Sequence, residues 1–173
     1  AMRLTSRGMA FAGKEADILI GTQMIVKGHD FPDVTLMGVL SADLSLFASD
    51  YRAAERTFQL LVQAVGRAGR GELAGEAVIQ TYHPEHYSIQ TAIQQDYDAF
   101  FQEEITYRKL LGYPPASNLL GVHGSCQNEE LLEQAMEYIR RYLVRIRRDE
   151  EFQIIGPAAE SVAKINDMYR SVL

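Results

Sequence analysis

Several features that mark particular protein classes are scarce or missing in this sequence. It has one cysteine, Cys126, and no tryptophan. A single thiol permits no internal disulfide, and the sequence has no cysteine and histidine spacing typical of a structural zinc site. No run approaches the roughly 18 apolar residues that a membrane-spanning helix needs. These absences exclude a disulfide scaffold and predict a cytoplasmic protein with no metal of its own and no membrane contact.

Positive charge is also in short supply. Lysine and arginine number 17 against 23 acidic residues, and the net charge is −6. Residues 1–82 carry a net charge of −1 and residues 83–173 a net charge of −5. This balance argues against a free-standing module that grips a phosphate backbone by bulk electrostatics. Any contact with nucleic acid is therefore expected to be local and to lie in the first half.

Apolar runs in the first half predict a layered α/β unit. Segments 17–21, 35–41 and 76–82 are predicted to be buried strands of a largely parallel sheet. From residue 52 to about residue 65 the apolar side chains recur at helical spacing, and glycines then end the helix. A long helix is expected from 85 to 111, because Pro114 and Pro115 stop it. Strands alternating with helices in this way are typical of an α/β fold.

The second half predicts a smaller α+β unit. We expect strands at 119–125 and 152–155, a terminal strand pair beginning near Val162, and a helix at 128–148 with Asn128 as its N-cap. The boundary is placed at the prolines, which gives domains of 1–112 and 113–173.

The segment from Gly8 to Lys14 matches the first seven positions of a phosphate-binding P-loop. The next residue is Glu15, where such a loop needs a hydroxyl for magnesium, and its carboxylate would repel the phosphates. No apolar strand leads into the segment either. We therefore do not interpret it as a P-loop.

One polar segment, GTQMIVKGHDF at 21–31, follows a predicted strand, and ligands of open α/β sheets bind at such strand ends. Thr22, Gln23 and Lys27 can donate hydrogen bonds to phosphates. Gly28 lets the backbone come close to a ligand, and Asp30 can accept a hydrogen bond from a ribose hydroxyl. The alternative is an ordinary polar surface loop.

A second segment, QAVGRAGRG at 63–71, ends the predicted amphipathic helix. Gln63, Arg67 and Arg70 are spaced so that a continuous helix would place them on one face. Guanidinium groups stay charged and bind phosphates through several hydrogen bonds, which suits phosphoryl transfer. The alternative is a basic helix end that complements the helix dipole.

Together the two segments resemble motifs V and VI of superfamily-two helicases, and their wording is most similar to the PriA family of primosomal helicases. The similarity continues through GEAVIQTYHPEHYSIQ and RKLLGYPP and covers nearly the whole chain from Ala16 onward. It implies that residues 1–112 are the end of a RecA-like helicase lobe 2, and that 113–173 are a PriA-type α+β domain that is cut short. The opening Ala1-Met2 is typical of a cloning remnant, so we expect a piece of a longer protein.

The resemblance also implies roles for individual residues. Arg70 is expected to be the arginine finger, Arg67 its partner at the same phosphate, and Gln63 the residue that helps to position them. The DNA-binding set is Thr22, Gln23 and Lys27, and the ATP-binding set is Gly28, Asp30, Gln63, Arg67 and Arg70.

The implied function is that of an ATP-dependent 3′-to-5′ DNA helicase that recognises stalled or abandoned forks and assembles the primosome. The expected partners are single-stranded and forked DNA, primosome and replication-restart proteins, and single-stranded-DNA-binding protein. ATP and Mg²⁺ are expected mostly on the other lobe and zinc in a cysteine-rich insertion, so this piece is predicted to be inactive alone. One rival is another superfamily-two translocase or repair helicase. The other is a non-catalytic DNA- or protein-binding module.

Overall fold

The computed structural model divides the chain into two compact units, Ala1–Ser117 and Asn118–Leu173. The predicted domain boundary, between residues 112 and 113, lies shortly before this division. The structure describes residues 6–22, 31, 33–48, 50–68, 74–148 and 152–173.

The first unit combines a short parallel sheet with helices. Leu36 pairs with Glu76 and Val39 with Ile79, so the two strands run parallel over four residue pairs. The unit is therefore of mixed α/β class, whereas a RecA-like lobe stays a prediction, because the sheet has two strands in the described part of the chain. The elements are α1 Ser6–Ala12, β1 Leu36–Val39, a 3₁₀ helix Ala42–Ser45, α2 Ala53–Val65, β2 Glu76–Ile79, α3 Tyr87–Gln94 and α4 Tyr97–Leu111.

The predicted strand at 17–21 is wrong. Residues 16–22 form no strand, and the side chains of Ile18 and Ile20 are 77% and 84% exposed. Within the described residues, no backbone hydrogen bond joins this segment to β1 or β2. An apolar run becomes a strand only where a neighbouring strand pairs with it and covers its side chains.

The long helix predicted for 85–111 is two helices. Gln95 takes a left-handed conformation at φ 54°, which ends α3. The carboxylate of Asp96 then accepts a hydrogen bond from the backbone N–H of Ala99 at 2.9 Å and caps α4. Aspartate competes with helix continuation in this way because its short side chain satisfies the free amides of a new first turn. Gly112, at φ 68°, ends α4 ahead of the two prolines.

The core of the first unit lies where α2, α3 and α4 meet. Phe58 and Leu61 of α2 pack with Ile89 and Ala92 of α3 and with Phe100 of α4. The rings of Phe58 and Phe100 stack with centroids 4.2 Å apart. Partly buried Val39 and Ile79 bring the sheet into the same cluster. The apolar face predicted for α2 is therefore confirmed.

A buried arginine ties α4 to α2. Arg108 donates from Nε to Glu104 at 2.6 Å and from Nη2 to Glu55 of α2 at 2.9 Å. Its Nη1 donates to the carbonyl oxygen of Pro114 at 2.6 Å. The second oxygen of Glu104 accepts a hydrogen bond from the Tyr87 hydroxyl. One guanidinium thus fixes the start of α2, the last turns of α4 and the chain that follows them.

The second unit is an antiparallel sheet with one long helix. Asn128 caps that helix by accepting from the backbone N–H of Leu131 at 3.0 Å, as predicted. Asn166 and Asp167 both have positive φ and form the tight turn between the last two strands. The elements are β3 His123–Cys126, α5 Glu129–Ile146, β4 Ala158–Ile165 and β5 Met168–Val172. The strands pair in the order β3, β5, β4.

Two strand predictions in this unit need correction. The strand predicted for 119–125 begins only at His123, and exposed Leu119 and Leu120 precede it. The strand predicted for 152–155 is absent. That segment runs directly into Gly156, whose φ of 106° turns the chain out of extended geometry before β4 begins.

Gly124 of β3 lies directly beneath α5. A Cβ atom added there would stand 2.7 Å from Sδ of Met136 and 2.9 Å from Cδ1 of Leu132. We predict that Gly124→Ala lowers the free energy of unfolding by about 1–3 kcal/mol, because Met136 is only 2% exposed and has little room to retreat. Chemical denaturation measures this loss.

The matched control is Gly38→Ala in β1, where an added Cβ meets nothing within 4 Å. We expect that change to stay within about 0.5 kcal/mol. Equal losses in the two variants would contradict close packing at Gly124.

Candidate functional site

The carboxyl ends of the two parallel strands are tied together by backbone and side-chain hydrogen bonds. Gln80, just after β2, accepts the backbone N–H of Ser41 on Oε1 at 2.7 Å. Its own carbonyl oxygen accepts the N–H of Ala42 at 3.0 Å. Ser41 adopts a left-handed conformation at φ 51°, which turns the chain sharply after β1. The strand ends are therefore held in a fixed arrangement.

Asp43 is the buried charge at this edge. Asp43 lies in the 3₁₀ helix after β1 and is 4% exposed. Its carboxylate accepts hydrogen bonds from the Thr81 hydroxyl, from the Tyr82 backbone N–H at 2.9 Å and from the His83 backbone N–H at 3.2 Å. These bonds hold the pKa of Asp43 below its ordinary value, and the hydroxyl of Thr81 contributes most. A satisfied, ionised carboxylate thus fixes the loop after β2.

The same edge of the sheet connects to α2, the helix that carries the second motif, QAVGRAGRG at 63–71. The hydroxyls of Ser45 and Thr57 share a hydrogen bond of 2.7 Å. Thr57 is buried on α2 and also donates to the carbonyl oxygen of Ala53 at 2.9 Å. Neither this polar connection nor the role of Asp43 is predictable from local sequence, because the partners lie far apart along the chain.

The second motif begins on α2 and continues past its end. Gln63 lies on α2 with an exposed side chain, one residue before the buried Ala64. The helix ends at Val65, and Arg67 lies in the following turn, where its N–H donates to the carbonyl oxygen of Ala64 at 3.0 Å. One continuous helix therefore does not align Gln63 with Arg67, because Gly66 closes the last helical turn. Arg70 lies outside the described residues.

The first motif is the segment GTQMIVKGHDF at 21–31. Of its predicted site residues, the structure describes Thr22, whose side chain is exposed. The other predicted site residues of this segment lie outside the described residues: Gln23, Lys27, Gly28 and Asp30. In the described part of the chain no hydrogen bond joins Thr22 to Gln63 or Arg67, and the roles of all these residues stay predictions.

The P-loop-like segment has the reverse of a phosphate-binding geometry. A P-loop places its lysine at the start of a helix, where backbone amides point at the phosphates. Here Lys14 comes after the end of α1, and its ammonium pairs with Asp33 at 2.9 Å on the surface.

In the described part of the chain, no group of three histidine, cysteine, aspartate or glutamate side chains could hold a metal ion. None of the helices in that part is both long and apolar enough to cross a membrane.

Fold and sequence motifs together define a mixed α/β protein with polar segments after the strands and at the end of a core helix. No family model matches the chain. Its curated relatives include proteins named replication restart protein PriA. The one from Bacillus subtilis is 48% identical over 163 residues, which is 93% of this chain and 20% of the relative. The one from Chlamydia trachomatis is 50% identical over 161 residues, 92% of this chain and 21% of the relative. The one from Thermotoga maritima is 39% identical over 156 residues, 90% of this chain and 20% of the relative.

The chain belongs to the PriA family, as the resemblance of its motifs predicts. It spans about a fifth of the length of these curated relatives.

The hydrogen bonds of Asp43 predict that the folding stability of the first unit decreases at acidic pH. Because the folded pKa lies below the ordinary value of about 3.9, this carboxylate stabilises the fold fully above that pH. The stabilisation is lost as the pH falls below it. We expect Asp43→Asn to lower the thermal midpoint at pH 7 and to flatten the fall of that midpoint below about pH 4.

Thermal melts across this pH range provide the test. Asp33→Asn is the control, since Asp33 pairs with Lys14 on the surface. The role assigned to Asp43 is refuted if both variants melt alike at pH 7.

Proposed function

We propose that this chain is part of an ATP-dependent DNA helicase that acts in replication restart. The observation that carries the proposal is the similarity of about nine-tenths of the chain to proteins named replication restart protein PriA. The chain also holds the two segments that resemble helicase motifs V and VI. In this proposal it contributes an arginine finger and a DNA-tracking loop to a larger enzyme.

The position of the second motif supports this role. Ligands of open α/β sheets bind beyond the carboxyl ends of the strands. Asp43, Ser45 and Thr57 connect those ends to α2, and α2 leads directly into the motif. Gln63 and Thr22 are exposed. A rigid helix that ends in a turn is a suitable base for side chains that must reach a phosphate at a fixed distance.

The proposed chemistry is stabilisation of charge on a phosphoryl group in transfer. A guanidinium contributes fixed hydrogen bonds and a permanent positive charge, so it stabilises that transition state without gaining or losing a proton. Arg70 is proposed as the finger, Arg67 as its partner and Gln63 as the residue that positions them. Gly28 and Asp30 are proposed to contact the nucleotide.

The P-loop-like stretch from Gly8 to Lys14 is not interpreted as a phosphate-binding loop. We propose that ATP and Mg²⁺ bind mainly to another part of the protein. The proposed partners are single-stranded and forked DNA, primosome and replication-restart proteins, and single-stranded-DNA-binding protein.

We predict that Arg70→Ala, in a whole PriA-family protein that contains this segment, lowers DNA-stimulated ATP turnover by roughly 10³–10⁵-fold. The 173-residue chain alone is expected to release no phosphate from ATP in the presence of single-stranded DNA. Arg70→Lys should recover little of the ATP turnover lost in Arg70→Ala, because an ammonium lacks the fixed multidentate geometry of a guanidinium. Phosphate release measures all three.

The control is Arg141→Ala, which removes an exposed arginine of α5 that pairs with Glu137. It should leave turnover within about two-fold, in line with the small worth of surface ion pairs. Robust, Arg70-dependent turnover by the isolated chain would contradict the proposal.

Thr22 is proposed to hold the sugar-phosphate backbone of the tracked strand. We predict that Thr22→Val weakens single-stranded DNA binding by roughly ten-fold, since a hydrogen bond to a charged group contributes about 1.5–3 kcal/mol. Unwinding per ATP should fall more than the apparent ATP affinity. Strand-displacement and ATPase assays on the same whole protein give this ratio. Thr22→Ser retains the hydroxyl and should behave like the parent, and a loss that is equal in both variants would count against a hydroxyl contact.

A further inference from the structure

A cleft of about 700 Å³ lies in the first unit between the start of α2, α3 and α4. Its volume falls within the range of roughly 300–1,000 Å³ that is usual for binding sites. Four tyrosines line it as two stacked pairs. The rings of Tyr51 and Tyr113 have centroids 5.2 Å apart, and those of Tyr87 and Tyr107 have centroids 5.5 Å apart. The walls are therefore aromatic and held in place by their own stacking.

The cleft carries a net negative charge. Three carboxylates line it, those of Glu85, Glu103 and Glu104, against one guanidinium, that of Arg108. Burial lowers the pKa of His86, so that this lining imidazole is neutral at pH 7 and adds no positive charge. A lining with a charge of −2 disfavours phosphates and nucleic acid and favours a cation.

Arg108 does not neutralise the outer part of this lining. All of its donor nitrogens already bond to Glu104, Glu55 and Pro114. The ring of His83 is the partner of Glu85, at 3.3 Å. Among the described residues, Glu103 has no hydrogen bond or ion pair, and its side chain is exposed. Negative charge thus stays open to an incoming group at the mouth of the cleft.

The cleft also shows how such a wall accommodates a guanidinium. Arg108 lies over the ring of Tyr51 with Cζ 5.0 Å from its centroid while it bonds to two carboxylates. Glu103 and Tyr107 repeat that pairing on an open surface. They are four residues apart on α4, which places a carboxylate and an aromatic ring side by side on one helix face. Carboxylates bind guanidinium groups in a bidentate manner, and aromatic rings stack on them.

We propose that this cleft binds an arginine side chain presented by another polypeptide segment. The guanidinium bonds to Glu103 and stacks on Tyr107, and Glu85 adds to the attraction. The volume exceeds that of one side chain, so the flanking backbone of the segment enters as well. This inference does not depend on the proposed helicase role, and its test needs neither ATP nor DNA.

The test is fluorescence anisotropy with the full 173-residue chain and a short labelled peptide that carries paired arginines in a glycine and serine background. A matched peptide with citrulline in place of arginine keeps the shape and removes the charge. We expect saturable binding of the arginine peptide that Glu103→Gln weakens by roughly ten-fold. Binding of the citrulline peptide should be weaker by at least the same factor.

Two comparisons separate a site from general charge attraction. Glu133→Gln removes the same charge from α5 of the second unit, where the residue does not line the cleft, and should leave the affinity within about two-fold. Tyr107→Leu should weaken binding several-fold, and Tyr107→Phe should retain it, since the ring rather than the hydroxyl stacks on the guanidinium. Circular dichroism and thermal melts confirm that each variant is folded.

Four results would overturn the proposal. They are the absence of saturable binding, equal affinity for the citrulline peptide, equal losses in Glu103→Gln and Glu133→Gln, and no loss in a folded Tyr107→Leu variant. A titration with spermidine adds a fifth. If free spermidine binds as tightly as the peptide and with the same dependence on Glu103, the cleft takes a free polyamine and the proposed occupant is wrong.

Discussion

The arrangement of the candidate site depends on one buried carboxylate. Asp43 follows β1, yet all of its hydrogen-bond donors follow β2, so that it joins the two strand ends across a sheet of only two described strands. Thr81, Tyr82 and His83 all donate to this one carboxylate, so its removal would break three hydrogen bonds that hold the loop after β2. The link from Ser45 to Thr57 extends the same constraint to α2. The strand ends and the helix are therefore positioned as one connected polar structure.

Local signals in the sequence were sufficient for one helix cap and for the buried face of α2, and insufficient for isolated strands. The cap at Asn128 and the apolar face of α2 depend on residues within one or two turns, and both predictions are confirmed. The runs 17–21 and 152–155 have the composition of strands but pair with nothing in the described part of the chain. Strand formation depends on a partner distant in sequence, which composition does not reveal. The break at Gln95 was missed because a left-handed glutamine has no strong sequence signal.

The family was predictable from the sequence, whereas the roles of the individual site residues stay predictions. Residue types and their order identified the family, which the relatives confirm. The glycines predict the end of α2 near residue 65, and the helix ends at Val65, so Arg67 lies beyond it and helical spacing does not place it beside Gln63. Asp43 was not predicted, since its partners lie 38 to 40 residues away and nothing in the local sequence indicates that its charge is buried.

The two ends of α2 separate opposite charges. A helix carries partial positive charge at its N-terminus and partial negative charge at its C-terminus. Glu55 lies in the first turn of α2 and binds Arg108, beside the acidic cleft. Arg67 lies in the turn that follows the last helical residue. Each charge therefore has the sign that its end of the helix favours. A helix of 13 residues is about 20 Å long, well beyond the screening length of about 8 Å at physiological salt. The acidic cleft thus does little to weaken the positive charge of Arg67 beyond the far end of α2, so the two proposed roles are electrostatically compatible.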